Sequence, residues 1–286
     1  MSKLEPRNLD HVVLPVPDLN TARARMQSLG FTVSPDGRHK FGTENCCIKF
    51  ADGTFLEPLA IGHRETVEDN ILKGNNFLGR DAAYRFRNGD NGFSMVVFAG
   101  EDAKAERKTF KEAGYKPGKL VTVKRPGVHA RLAFALDERA PDFSMFLCQD
   151  VGTAAKANLI LRSHNNGAQR LCRVSLYEPV PSDFQYYLQM VCGQREVSSH
   201  SFGMDQKLSN GTLTTLTAEG LAAYYGISDI PVGRGLRAVA LDIEVENIKA
   251  VAKLLKKNKI ECSKIGARLV VPPAPGQGET IAFVEA

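Results

Sequence analysis

The sequence predicts an α+β protein built from four βαβββ modules paired into two domains, residues 1–150 and 151–286. Three observations carry this. A strand–cap–helix–stop pattern opens the chain and returns three times; each copy is followed by short strand-like runs; and each unit leaves one face of its sheet in need of a partner. The chain has 286 residues, enough for about two domains of ordinary size. With 43% hydrophobic and 24% charged residues, it excludes disordered, collagen-like and disulfide-scaffold classes.

The first module opens with Leu9 to Val16, a strand, then Pro17-Asp18-Leu19-Asn20, a turn whose Asp18 or Asn20 can cap the helix that follows. Ala22, Met26 and Leu29 form one helical stripe, and Gly30 supplies the left-handed stop. Cys46 to Phe50 and Thr54 to Ile61 read as a hairpin joined at Asp52-Gly53. The pattern returns 84 residues on, with Val12, Val13, Asp18, Arg23 and Gly30 falling on Val96, Val97, Asp102, Arg107 and Gly114. Lys119 to Lys124, His129 to Leu136 and Phe143 to Gln149 complete this second module. A third begins at Leu171, with Ser182 as a cap for a helix over 183–192 and Asn210-Gly211 ahead of the strand Thr212 to Thr217. A fourth begins at Leu236, with a helix over 246–257 and strands over 267–271 and 279–285. His63 to Gly92 reads as an insertion carrying one irregular helix near residues 77–86. The turn-rich stretch 151–168 reads as the joint between domains.

Charge and targeting signals narrow the setting. The 37 basic and 32 acidic residues leave +5, spread along the chain, which argues against nucleic acid as a partner. No apolar run reaches the ~18 residues of a membrane span, and the first residues lack the apolar core of a signal peptide. A cytoplasmic protein away from membranes is the expectation, with its six cysteines as buried reduced thiols. There is no phosphate loop, HExxH or GxSxG elbow, and Gly233-Arg-Gly leads into a strand rather than the helix of a dinucleotide site.

Leu9-Asp-His-Val-Val-Leu-Pro-Val-Pro-Asp-Leu19, Gly37-Arg-His-Lys-Phe-Gly-Thr-Glu-Asn45 and Asp52-Gly-Thr-Phe-Leu-Glu57, followed by Gly89 to Phe93 and His164 to Ala168, resemble the vicinal oxygen chelate superfamily, and within it the glyoxalase-like, bleomycin-resistance-type group. The resemblance implies cupped paired modules and a divalent metal (Zn, Fe, Mn or Ni). A first-strand His or Gln and a fourth-strand Glu from each module would hold it, and the metal would chelate vicinal oxygens of a small-molecule substrate. Members include isomerases, lyases and dioxygenases, and others that only sequester a small molecule.

Side-chain alternation tests which of those positions survive. Leu9, His11 and Val13 share one face of the first strand, and Phe55, Glu57 and Leu59 one face of the fourth. His11 and Glu57 are therefore the candidate metal ligands, or else an acid–base couple. The matching positions are Met95 and Phe146 in the second module, Arg173 and Thr215 in the third, and Ala238 and Ala282 in the fourth. Two ligands fall short of the three typical of catalytic zinc, so His39, His129 and Glu44 are weighed as completing donors, and Pro58 weakens the strand carrying Glu57. His39, Asn45, Arg131, Met95 and Phe146 are the candidate substrate contacts, Arg131 as an anion clamp or an outward-facing residue. Arg173 is read as receiving an acid or pairing with Glu178 or Asp183. The second domain, stripped of ligands, would serve support or a homodimer contact. The leading expectation is a small-molecule enzyme; the alternative, motivated by Met95 and Phe146, is a non-catalytic binding protein.

Overall fold

A computed structural model describes residues 5–125, 127–152, 159–230 and 232–286. The first half contains strand β1 (Leu9–Pro15), helix α1 (Leu19–Ser28), β2 (Gly37–Arg38), β3 (Thr43–Asn45), β4 (Ile48–Lys49) and β5 (Phe55–Ile61). Helices α2 (Arg64–Leu72) and α3 (Asn76–Asn88) follow, then β6 (Met95–Ala99), α4 (Ala103–Glu112), β7 (Val121–Arg125), β8 (Val128–Ala135) and β9 (Ser144–Asp150). The second half contains β10 (Ala168–Tyr177), α5 (Gln185–Cys192), β11 (Ser198–His200), β12 (Gly203–Lys207), β13 (Thr212–Leu216), α6 (Ala218–Tyr225), β14 (Arg237–Val245), α7 (Ile248–Lys257), β15 (Ser263–Ile265), β16 (Arg268–Val271) and β17 (Thr280–Glu285).

Each half forms one sheet. The first runs β2-β3-β5-β1-β6-β9-β8-β7, with β4 beside β5; the second runs β11-β12-β13-β10-β14-β17-β16-β15. Modules therefore pair in chain order, through antiparallel seams β1–β6 and β10–β14. Local chemistry explains most boundaries. Asp18 accepts from the Thr21 amide at 2.8 Å to start α1, and Asn247 does the same for α7 through the Ala250 amide. Gly53, at φ 98°, closes the β4–β5 turn. Pro58 sits inside β5 rather than ending it: Cys46 donates to Pro58 O, the return amide is missing, and the neighbouring strand breaks into β3 and β4 at Cys46-Cys47. Cys47 O instead accepts from the Ser34 amide at 2.8 Å.

The insertion holds two helices rather than one, and α6 is an element the periodicity did not indicate. Ser182 is not a cap: a 3-10 turn over Pro181–Phe184 feeds α5, with no side-chain cap bond.

The four module helices lie between the two sheets and share a single core with both inner faces. Met26, Phe110, Tyr187 and Leu255 from the helices pack with Val12, Leu171, Ile243 and Phe283 from the strands. Phe31 stacks on Phe283 across the halves at 5.9 Å, and His164 lies against Phe31 and Phe50. His164 accepts from the Thr32 amide and bonds Lys49 O, and Asn166 donates to Leu29 O, so the joint motif clips the second half onto the first. The outer faces carry two smaller apolar clusters, one under α2 and α3 and one under α6. No helix among the described residues is long and apolar enough to cross a membrane.

Because both halves share one core, Phe31→Ala is expected to cost about 3–5 kcal/mol, and urea unfolding followed separately by fluorescence and far-UV circular dichroism should give coincident transitions. Two separated transitions would show that the halves fold independently.

Candidate active site

Strand β1 has to serve the inner core and the outer face at once, and a slip of register does this. Its pairing with β6 shifts between Leu9 and His11. Leu9 therefore packs into the inner core, with Val12 and Leu14, while Asp10 and His11 both line a cleft on the outer face. Simple alternation placed Leu9 with His11; the bulge corrects that, and leaves His11 and Val13 outward as expected.

The cleft has about 300 Å³ of open volume, the lower end of the range for small-molecule sites. His11 pairs in register with Phe55 on β5, two residues before Glu57. Its Nε2 stands 3.5 Å from Glu57 Oε2, its Nδ1 makes a close contact with Asp10 Oδ1, and Asn45 donates a short hydrogen bond to Glu57 Oε1. Phe55 stacks on the imidazole face at 4.2 Å, and Phe146 meets it edge-on at 6.2 Å. Burial alone would depress the His11 pKa; the hydrogen bonds and charges of Asp10 and Glu57 outweigh it and raise it from 6.5 to about 9. Glu57 is the mirror case. Burial opposes its charge, but His11 first, then His39 and Asn45, hold it below the usual carboxylate range. The pair is a buried imidazolium–carboxylate.

His39 also lines the cleft, with Nδ1 bonded to Thr43 Oγ1 at 2.9 Å and its ring on Phe41. Burial first, and then the charge of Arg125, lower its pKa against the pull of Glu57. Met95 lies fully buried under the cleft floor, and Phe146 forms part of the wall. Arg131 does not reach the cleft: Ala130 and Leu132 line it, and Arg131 points to the opposite face of β8 with Ala133. Likewise His129 and Glu44 are outside it, Glu44 lying 3.8 Å from Arg38. Asp10, Cys47, Lys49, Phe55, Arg125 and Cys148 are lining residues that sequence reasoning missed. Burial pushes the Cys47 and Cys148 thiols far above neutrality, so neither is a nucleophile.

The second sheet's own opening, about 430 Å³ among Leu221, Arg237, Val239 and Thr280, lies away from the positions that match His11 and Glu57. Register makes Thr214, not Thr215, the counterpart of Glu57. A bulge in β14 turns Ala238 into the inner core, and Asp242 faces outward opposite Arg173. Arg173 pairs there with Asp205, Thr214 and Asp242, while Glu178 and Asp183 belong to Arg234. Asp242 also accepts from Tyr225 of α6 at 2.7 Å and from Arg268 at 2.8 Å.

His11 Nε2 and Glu57 Oε2 have the separation of two neighbouring ligands on one ion at about 2.1 Å each. The facing half of such a cage, however, is apolar, from Met95 and Phe146. No group of three or more His, Cys, Asp or Glu among the described residues is placed to hold a metal. The donor set does not fit a resident catalytic metal.

Cupped paired modules with a polar cleft on the β1–β5 face define a glyoxalase-like protein of the vicinal oxygen chelate class. The glyoxalase-like domain family model matches residues 9–192, and the chain belongs to that family. No curated protein matches it in sequence. Among solved structures it resembles a hypothetical protein from Staphylococcus aureus (TM-score 0.67, 10% identity, 98% of this chain and 99% of that one). It also resembles the Mn(II)-bound glyoxalase from Novosphingobium aromaticivorans (0.61, 14%, 98% and 82%) and the 2,2',3-trihydroxybiphenyl 1,2-dioxygenase from Sphingomonas wittichii strain RW1 (0.54, 11%, 99% and 91%). At these identities the likeness is one of fold.

Because the folded-state pKa of His11 is raised, its pairing stabilises the protein fully below about pH 6.5 and the contribution fades as pH rises through 9. The loss is on the order of 3 kcal/mol at most. A ring-proton NMR titration should place the His11 midpoint near 9, and His11→Asn should remove that part of the alkaline destabilisation. A midpoint near 6.5 would show that the carboxylates do not hold the ring.

Proposed function

We propose that the first-sheet cleft is the site of a small-molecule enzyme of the lyase or isomerase kind, in which Glu57 takes a proton from a carbon of the substrate and His11 stabilises the charge that develops. The observation that carries this is the His11–Glu57 pair: opposite charges, both buried, at a cleft able to hold a small molecule. The 3.5 Å separation is too long for a good hydrogen bond. The Nε2–H of His11 is therefore weakly engaged and can turn to an oxygen of a bound carbonyl compound. Glu57, steadied by Asn45, accepts a proton from the carbon beside that carbonyl. His11, steadied by Asp10, stabilises the oxyanion that develops. His39 and Asn45 line the same space and orient the substrate.

One observation favours the second reading, a binding protein that only sequesters its ligand. Both ring nitrogens of His11 face carboxylates and Phe55 covers its face, so the imidazolium is also a fixed counter-charge in a phenylalanine-lined slot.

The test is solvent exchange. A panel of α-keto and α-hydroxy carbonyl compounds is incubated with the protein in D2O and followed by NMR. Deuterium is expected at the carbon beside the carbonyl. The rate should fall roughly 10²–10⁴-fold in His11→Asn and Glu57→Gln, with activity retained after chelator treatment. Tight binding without exchange favours sequestration; exchange that chelator abolishes and added Mn, Fe, Zn or Ni restores overturns the metal-independent reading.

A further inference from the structure

The cleft is lined by a cation that has no ion-pair partner among the described residues. Arg125 ends β7 at the edge of the first sheet and lines the cleft with Val123. Among the described residues its guanidinium has no ion-pair or hydrogen-bond partner, and its Nε is buried and orphaned. The side chain crosses to the other module, where its Nη1 packs over Gly37 of β2. A Cβ at position 37 would overlap Nη1 and crowd Asn45 Oδ1. Gly37 is needed there for its lack of a side chain, not for its backbone freedom.

The surrounding carboxylates are already engaged. Asp10 holds His11, Glu57 is shared between His11 and Asn45, and Asp150 accepts from the Gly152 amide at 2.9 Å. The guanidinium is nonetheless close enough to the reacting end of the cleft to be felt there: His39 and Cys47 each sense both Arg125 and Glu57. Between Arg125 and the His11–Glu57 pair the walls are Phe41, Phe55, Phe77, Leu132 and Phe146. A buried donor left without an acceptor carries the full cost of its desolvation. A planar two-oxygen anion matches the guanidinium fork and would relieve that cost.

We propose that Arg125 is the anion-binding residue of the cleft, and that the ligand is a flat apolar or aromatic molecule bearing a carboxylate, its body against the phenylalanines and its carboxylate on Arg125. This rests on the reading of the cleft as the functional site and names the substrate class that site takes. A carboxylate is favoured over a phosphate because the mouth offers a single planar fork beside three carboxylates, where a second ligand charge would meet repulsion.

The test uses the full chain at 0.15 M salt with three probes of one shape, 2-naphthoate, 2-naphthamide and 2-naphthyl phosphate, titrated by ligand-observed NMR. Naphthoate is expected to bind at least about tenfold more tightly than naphthamide, the advantage of a charge-assisted pair, and more tightly than the phosphate. Arg125→Gln should erase the preference without lowering the melting temperature. Gly37→Ala, which displaces the fork and leaves every charge in place, should weaken naphthoate more than naphthamide. His11→Asn and Lys49→Gln remove the other two cations that line the cleft, and each should keep the preference. Absent or equal binding of naphthoate and naphthamide, a tighter phosphate, or a preference that follows His11 or Lys49 rather than Arg125 overturns the proposal. The outcomes separate the two readings: solvent exchange without carboxylate preference removes only the Arg125 assignment, whereas preference without exchange removes only the proton-transfer reaction.

Discussion

The register slip in β1 is the constraint on which the site depends. An unbroken strand alternates strictly, so Leu9 and His11 would have to share a face. Leu9 is needed inside, under the helices, and its backbone is held by Asn210 of the second half through both N–H and C=O. His11 is needed outside. One unpaired residue resolves the conflict, and that residue is Asp10, whose side chain then lies beside His11. The same local irregularity thus turns the imidazole into the cleft and supplies the carboxylate that keeps it charged.

The second half shows what becomes of this geometry without the chemistry. β10 slips between Leu171 and Arg173 as β1 does between Leu9 and His11. Arg173 stands where His11 stands, but it is surrounded by Asp205, Thr214 and Asp242 and roofed by α6. Tyr225 of α6 links Ser175 to Asp242, and Arg268 lies over Tyr224 and Tyr225. A cleft emptied of ligand groups exposes polar strand positions with no partner. Filling it with a closed set of ion pairs satisfies them, at the price of leaving no room for a ligand.

The modular fold was legible because strand, cap, helix and stop recur with the same residue types: Asp18 caps as its identity suggests, and Gly53 turns where Asp-Gly suggests, while Asn247, read as inside the fourth helix, caps it instead. His11, Glu57, His39 and Asn45 were legible through motif and alternation. What escaped was everything that alternation cannot carry. Asp10 reads as a neighbour pointing away from His11 unless the bulge is known, and Ala238 reads as outward for the same reason. Arg131 lies within a strand-like run and Arg125 one residue past the end of another, and nothing in the sequence separates their roles. The residues beside Arg131, Ala130 and Leu132, face the cleft, which fixes Arg131 on the other side, and only the fold shows Arg125 reaching Gly37 across the seam. Helix α6 was hidden because Ala218 to Tyr225 is short and its few buried residues, Leu221 and Tyr225, give little period to detect.

The layering explains how so charged a cleft is tolerated. Desolvating His11, Glu57 and Arg125 costs stability, and the orphaned Arg125 Nε is a cost the fold does not recover by itself. In a lone module pair those groups would lie opposite the protein's only core. Here the helices of both halves are pooled between the sheets, so stability resides in an inner layer that the cleft does not touch. The outer face of the first sheet is then free to keep unpaired and like-signed groups close together, and the second sheet, its own outer face closed by α6, serves the first chiefly as the far wall of that inner core.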